Sequence, residues 1–264
     1  MKKIYDEIKQ AVINAGKMML DADGAIAEAD VAEKNGDVTN LVTKYDVEIQ
    51  EYLIERILEL IPSATFVAEE KENDSSSLDN DFCFIIDPID GTTNFIHGYG
   101  HSCISLAMIS YNEVVFAIIY DPYRDEMFSA ELGCGAYLNG KRMYVSKRDL
   151  RTSIVAYGTA PYYKDTLGKA TLGIYTELFY RSIDLRRCGS AALDLAYLAA
   201  GRNDAFYEMR LSPWDIAAGA LLVKEAGGII STAQGEPIDL SRNISVISGN
   251  PVSYPELLEI TKKY

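Results

Sequence analysis

The stretch that most constrains this chain is residues 82–98, FCFIIDPIDGTTNFIHG. Five apolar or soft residues run directly into Asp87 and Asp90, with Pro88 removing a backbone donor and Gly91 permitting a turn. Two ionised carboxylates ~4 Å apart repel by ~4 kcal/mol at an effective dielectric near ~20, so the pair calls for a cation between them. A lone Asp-Pro is ordinarily a strand end or a helix cap. Here other segments can aim oxygen atoms at the same place. Glu69 and Glu70 close the apolar run TFVAEE, and Asp215 follows Pro213 and Trp214 at the start of an apolar helical stretch. An oxygen-only set without Cys or His suits a hard cation such as Mg²⁺ or Mn²⁺.

The threonines extend the same logic. GTTN after the aspartates reads as the opening of a helical turn, whose first N–H groups can receive an anion. Metal ions on one side and these amides on the other would grip the oxygens of a phosphate. A water activated by the ions would then attack phosphorus in line.

Bulk properties narrow the alternatives. With 264 residues, 48% of them hydrophobic, the chain can bury a core in one large or two small domains. We read one compact domain over 1–264, with sub-halves at about 1–150 and 151–264. No apolar run reaches the ~18 residues of a membrane helix. The opening MKKIYDEIKQ mixes charge signs and does not lead into an apolar secretion segment, so a cytoplasmic protein is expected. A net charge of −14 argues against non-specific binding to nucleic acid or an anionic membrane. Cys83, Cys103, Cys134 and Cys188 are scattered without a CxxC pair or a matching histidine spacing, which argues against zinc and against a disulfide framework and predicts reduced, mostly core cysteines.

Periodicity supplies the elements. Ile4, Ile8, Ala11, Val12, Ala15 and Met19 predict an amphipathic helix over 1–23; a Gly-punctuated acidic loop follows. A second helix ends before Pro62, with Val47, Ile49, Leu53, Ile54, Ile57 and Leu58 on its buried side. Strands at about 102–110, 113–121, 126–131 and 135–145 are joined by tight turns near Tyr111 and at Asn139-Gly140, which predicts antiparallel hairpins. From 153 onward strands and helices alternate, with strands expected at 229–239 and 244–250, so the fold class is α/β, helices layered on sheets. His97 and His101 have no matching partner spacing and are expected to be structural. The basic run 141–151 is expected to be a solvated hairpin edge, and Tyr157, Tyr162, Tyr163, Tyr175 and Tyr180 to wall a pocket or form a dimer face.

Taken in order, NLVTKYD at 40–46, VAEE at 67–70, IIDPIDGTTNFIHG at 85–98, GAYLNGKR at 135–142, RCGSAALDLAYLAAGR at 187–202 and SPWDIAAGALLVKEAGG at 212–228 resemble the inositol monophosphatase family of metal-dependent, lithium-sensitive sugar phosphatases. The resemblance implies a layered α/β sandwich, two to three Mg²⁺ ions, a homodimer, and hydrolysis of myo-inositol 1-phosphate or a similar small sugar phosphate. It implies that Glu69, Asp87, Asp90, Asp215 and the Ile89 carbonyl hold metal, and that Glu69 orients the attacking water. Thr92 and Asp46 would assist water activation, and the amides of Gly91, Thr92 and Thr93 would receive phosphate. Gly189, Ser190, Ala191 and Glu208 match positions that contact substrate hydroxyls, joined by Asp90 and Asp215. Tyr45 and Ser190 stand where animal members carry threonine, and Arg210 where they carry glycine; its guanidinium could accept a second phosphate, as in fructose 1,6-bisphosphate, or form a surface ion pair. A nucleotide phosphatase fits less well, since that branch prefers Lys where Thr93 stands. A regulatory protein that binds a transcription or RNA partner is the reading from a different class, and the complete acidic set counts against it.

Overall fold

The structure of the chain, a computed structural model, describes residues 2–264. Two helices open it, α1 (Lys2–Ala22) and α2 (Lys44–Leu60), separated by a small antiparallel hairpin of β1 (Val31–Glu33) and β2 (Leu41–Thr43). The expected acidic loop is therefore partly ordered by strand pairing. In α1 the buried face holds Ile8, Ala11, Val12, Ala15 and Met19, as the spacing predicts, with Tyr5 buried in place of the expected Ile4, which is half-buried. In α2 the buried stripe is Asp46, Ile49, Gln50, Leu53 and Ile57, while Val47 and Leu58 are exposed, contrary to expectation. Each lies one position from the stripe, about 100° around the helix. Gln50 and Asp46 occupy buried places because their polar atoms find partners, Gln50 accepting from the Glu70 amide and Asp46 capping its own helix.

A seven-stranded sheet follows, in spatial order β3 (Thr65–Ala68), β4 (Cys83–Asp90), β5 (Cys103–Ser110), β6 (Glu113–Asp121), β7 (Glu126–Glu131), β8 (Gly135–Leu138) and β9 (Lys141–Arg142). β3 and β4 run parallel and the rest antiparallel. Both expected tight turns are present, with positive φ at Tyr111 and Asn112 and at Asn139 and Gly140, the signature of type I′ hairpins. Strand alternation sends Phe84, Ile86, Phe116 and Ile118 toward α1 and α2, and Cys83, Ile85, Ala117 and Ile119 toward the other face.

On that other face lie α5 (Ala191–Ala199) and α6 (Pro213–Glu225), reached after the five-residue α3 (Thr92–Ile96), β10 (Ile154–Tyr157), α4 (Lys164–Arg181) and β11 (Asp184–Arg186). Both α5 and α6 are apolar nearly all round because they are covered twice. Their second cover is a five-stranded sheet, order β11-β10-β12-β14-β13, completed by β12 (Ala205–Leu211), β13 (Ile229–Ser231) and β14 (Ile244–Gly249). The expected strand over 229–239 is confined to its first three residues. α4 and α7 (Tyr254–Thr261) pack on the outer face of this sheet through Ile174, Leu178, Leu257 and Ile260. The order is thus helices, sheet, helices, sheet, helices, an α/β layering. α5 and α6 approach so closely that a Cβ on Gly219 would lie 2.5 Å from Leu195 Cδ1.

The basic run 141–151 is a hairpin edge only at its start, and beyond it Met143 and Leu150 are buried. Lys141 and Arg142 form the exposed last strand, and Arg148 pairs with the buried Asp204. Cys83 and Cys103 are core residues, but Cys134 is exposed and Cys188 only half-buried, so the expectation of core cysteines holds for two of the four.

Candidate active site

β4 delivers the central carboxylates. Its ladder with β5 shifts register between Asp87 and Asp90, where Pro88 has no N–H to donate, and the strand bends there. The Ile89 amide turns back onto Asp87 Oδ1 at 3.1 Å. Gly91 then adopts φ 93°, a left-handed conformation, and a Cβ there would stand 3.1 Å from the carbonyl oxygens of Gly189 and His101. Only glycine makes this turn without strain. α3 starts immediately after it, so its first amides lack intrahelical acceptors.

Asp215 comes from the first turn of α6, where its Oδ2 accepts the Ser212 amide at 2.7 Å in a capping box. Carboxylate oxygens of Asp87, Asp90 and Asp215 all lie within 4.8 Å of one another. Burial raises the pKa of all three; repulsion from neighbouring carboxylates adds to the rise, while hydrogen bonds from Ser190 and Ala192 oppose it at Asp90, which stands at about 6. Two buried carboxylates and one half-buried, mutually repelling and with no Cys or His among them, fit a hard cation. Asp90 is held by the second half of the chain: Ser190 Oγ donates to its Oδ2 at 2.5 Å and the Ala192 amide at 2.7 Å.

Glu69, at the end of β3, stands in the same cavity, but its carboxylate is engaged by a residue that sequence reasoning missed. Lys34 Nζ, from the turn of the β1–β2 hairpin, lies 2.8 Å from Glu69 Oε1 and 2.5 Å from Glu70 Oε1. Burial alone would lower the Lys34 pKa, and the two carboxylates outweigh it and raise it. A single lysine in the acidic segment 28–37 was the available signal.

Thr92 Oγ1 donates toward the Ile89 carbonyl at 3.1 Å and toward Asp46 Oδ1 at 3.3 Å. Asp46 is fully buried behind it and accepts the Thr43 amide and hydroxyl on its other oxygen. Burial pushes its pKa up to about 7; the Thr43 bonds oppose the rise, and Glu69 and Glu70 add to it.

A cavity of about 600 Å³ collects every expected site residue except Asp46: Glu69, Asp87, Ile89, Asp90, the 91–93 turn, Gly189, Ser190, Ala191, Glu208, Arg210 and Asp215. Ser190 departs from its expected part in hydroxyl recognition, because its side chain is committed to Asp90 and to the Leu193 amide at the start of α5. Glu208 is buried in the cavity wall, accepting the Ala160 amide at 2.9 Å, and burial raises its pKa to about 7. Gly158 makes room for it, since a Cβ there would fall 1.9 Å from Glu208 Oε2. Of the five tyrosines, Tyr162 and Tyr163 line the cavity, Tyr157 and Tyr175 pack against each other beside Tyr207, and Tyr180 is exposed. The Arg210 guanidinium lies over the Tyr163 ring, 4.8 Å from its centre, so the expected surface ion pair is not what holds it. Arg187 and Asp194, neither of them anticipated, also line the cavity.

A model of the inositol monophosphatase family matches residues 1–264. The chain belongs to that family. It is 43% identical over 214 residues to a protein of Escherichia coli K12 named Nus factor SuhB, covering 80% of this chain and 79% of that one. It is 35% identical over 257 residues to an inositol-1-monophosphatase of Rhizobium meliloti, covering 96% and 94%. In fold it is similar to the extragenic suppressor protein suhB of Bartonella henselae, with a TM-score of 0.89, 32% identity and 99% of each chain covered. Membership in this generally metal-dependent family supports a phosphatase acting on a small phosphorylated substrate. Among the described residues no helix is long and apolar enough to cross a membrane.

Proposed function

We propose that this inositol monophosphatase family member is a Mg²⁺-dependent phosphomonoesterase that hydrolyses myo-inositol 1-phosphate, or a similar small sugar phosphate, to the free polyol and inorganic phosphate. The observation that carries this reading is the convergence of Asp87, Asp90 and Asp215, from two distant segments, beside the Thr92–Asp46 pair. In it, Glu69, Asp87, Asp90, Asp215 and the Ile89 carbonyl hold the ions. Mg²⁺ bound there would raise the acidity of a water and neutralise charge on the leaving oxygen. The Gly91, Thr92 and Thr93 amides receive phosphate oxygens. Thr92 Oγ1 accepts a proton from the attacking water while passing its own to Asp46, whose pKa of about 7 suits it to take that proton near neutrality. Glu69 orients the water once its carboxylate leaves Lys34. Glu208 and the Gly189 and Ala191 backbone face the polyol hydroxyls, with Asp90 and Asp215 bordering the same space.

The test is kcat/KM over a panel of inositol, fructose, glycerol and nucleotide phosphates with Mg²⁺, with and without Li⁺. Inositol phosphate among the best substrates, with inhibition by Li⁺, supports the proposal; activity unchanged by chelator would sink it. Arg210 and Arg187 at the polyol end make fructose 1,6-bisphosphate the bisphosphate to include, and Arg210→Gly should then lower the preference for it. Size-exclusion and sedimentation measurements test the homodimer.

A second reading rests on the 43% identity to a protein named a Nus factor. It has the chain bind a transcription partner through its surface, and it is compatible with catalysis. Recovery of one stoichiometric partner from lysate, by both wild type and Asp90→Asn, would support it.

A further inference from the structure

His101, Cys188 and Asp194 form a second cluster of ligand atoms, chemically unlike the first. A ring nitrogen of His101, Cys188 Sγ and a carboxylate oxygen of Asp194 all lie within 4.8 Å of one another. Two of the three side chains carry buried polar atoms with no hydrogen-bond partner: His101 Nε2, on a residue 7% exposed, and Asp194 Oδ1, on a residue 2% exposed. A buried polar atom without a partner has given up its hydration for nothing, so two in one cluster require an explanation. The cluster is also braced from outside. Asn94 Nδ2 donates to the His101 carbonyl at 2.7 Å and to the Cys188 carbonyl at 2.8 Å, fixing those two backbones relative to each other. Asp194 is fixed by the first turn of α5, through its amide on the Ser190 carbonyl, and the His101 ring stands edge-on to Tyr197.

We propose that His101, Cys188 and Asp194 bind a borderline divalent transition-metal ion of the Zn²⁺ class, at a site separate from the acidic cluster. The N, S, O donor set rejects Mg²⁺, which takes oxygen ligands, and suits Zn²⁺. A tetrahedral Zn²⁺ holds its ligand atoms roughly 3.3–3.8 Å apart, so rotamer adjustment alone closes the cluster around it. On binding, the proton of the Cys188 thiol and the one burial holds on the Asp194 carboxyl both go to solvent, and the resulting thiolate and carboxylate balance the ion's two charges. Because Asp194 borders the cavity, the fourth position is open to water or to a substrate hydroxyl. The inference goes beyond the phosphatase reading and does not depend on it.

Co²⁺ titrated into the full chain, with Mg²⁺ saturating, tests it. A near-ultraviolet thiolate-to-cobalt band should saturate at about one equivalent. It should vanish in Cys188→Ser and persist in Cys134→Ser and Asp215→Asn. Absence of the band in the wild type, or its persistence in Cys188→Ser, overturns the proposal. Should Cys188→Ser fail to fold, alkylation of Cys188 in the wild type, followed by peptide mass mapping, decides the matter. Zn²⁺ should slow it roughly tenfold or more by withdrawing the thiolate from attack, and equal rates with and without Zn²⁺ overturn the proposal.

Discussion

The Ser190 hydroxyl donates to Asp90 Oδ2 at 2.5 Å, across a hundred residues of chain, so one serine both caps α5 and holds a carboxylate of the acidic cluster. Ser190→Ala should cost about 1 kcal/mol of stability through the lost cap, and should weaken Mg²⁺ by roughly 10- to 100-fold, as loss of a ligand's hydrogen-bond partner does. Ser190→Thr should recover most of both. Chemical denaturation and the Mg²⁺ dependence of phosphate release measure the two effects separately.

Asp215→Asn removes one charge from three that repel. Phosphate release should fall by at least ~10²-fold, the scale of losing a group that stabilises transition-state charge. Yet in chelator the variant should melt no lower than wild type, because the buried repulsion is relieved. The rise in Tm that Mg²⁺ gives the wild type should shrink. Unchanged Mg²⁺-dependent phosphate release in this variant would refute the metal-site assignment.

The raised pKa values set a direction with pH. Asp46, at about 7 against an ordinary 3.8, binds its proton more tightly folded than unfolded. Through Asp46 the metal-free chain should therefore lose stability as pH rises from the ordinary carboxylate range through about 7. Asp87, Asp90, Asp215 and Glu208 push the same way. Mg²⁺ competes with those protons, so its stabilisation should grow over the same window. Melting curves at pH 5.5 and 8, with Mg²⁺ and with chelator, check the sign.

Lys34→Gln leaves Glu69 and Glu70 facing each other without their shared ammonium. The metal-free protein should lose about 1 kcal/mol, a figure kept small because the lysine is partly solvated. Amides of the β1–β2 hairpin should exchange faster, and saturating Mg²⁺ should narrow the difference in Tm. Hydrogen exchange and calorimetry report these.

Gly158→Ala would drive a methyl group into Glu208. KM for polyol phosphates should rise several-fold while the Mg²⁺ dependence stays put, since Glu208 is not among the clustered carboxylates of Asp87, Asp90 and Asp215. Parallel changes in both would place Glu208 in the metal site instead.

Much of this was legible in the chain. Apolar runs bounded by turn residues marked β4 to β7, the 3.6-residue stripe marked α1, and the turn residues at 111–112 and 139–140 marked hairpins, because each signal is local. The acidic site was legible for the same reason: its ligands sit in short motifs at element ends. What escaped are pairings that only folding creates. Lys34 meets Glu69 across 35 residues, Ser190 meets Asp90 across 100, and Asp194 lies hidden in an apolar helix whose pattern looks like plain core. Val47 misled because hydrophobicity alone cannot say that the adjacent polar Asp46, once satisfied, claims the buried position, and Leu58 because it lies one step past Ile57, at the edge of the buried stripe.

The close seam between α5 and α6 at Gly219 also has an electrostatic side. Both helices begin at the acidic cluster, one at Ser190 beside Asp90 and the other at Asp215. Aligned peptide dipoles place roughly half a positive charge at each helix start, about one elementary charge in all. The carboxylates thus face a fixed, partial counter-charge built from backbone alone, which no side-chain substitution deletes. It lowers the strain of the metal-free state, and it should leave the site able to hold an anion such as inorganic phosphate even when too few cations are bound for turnover.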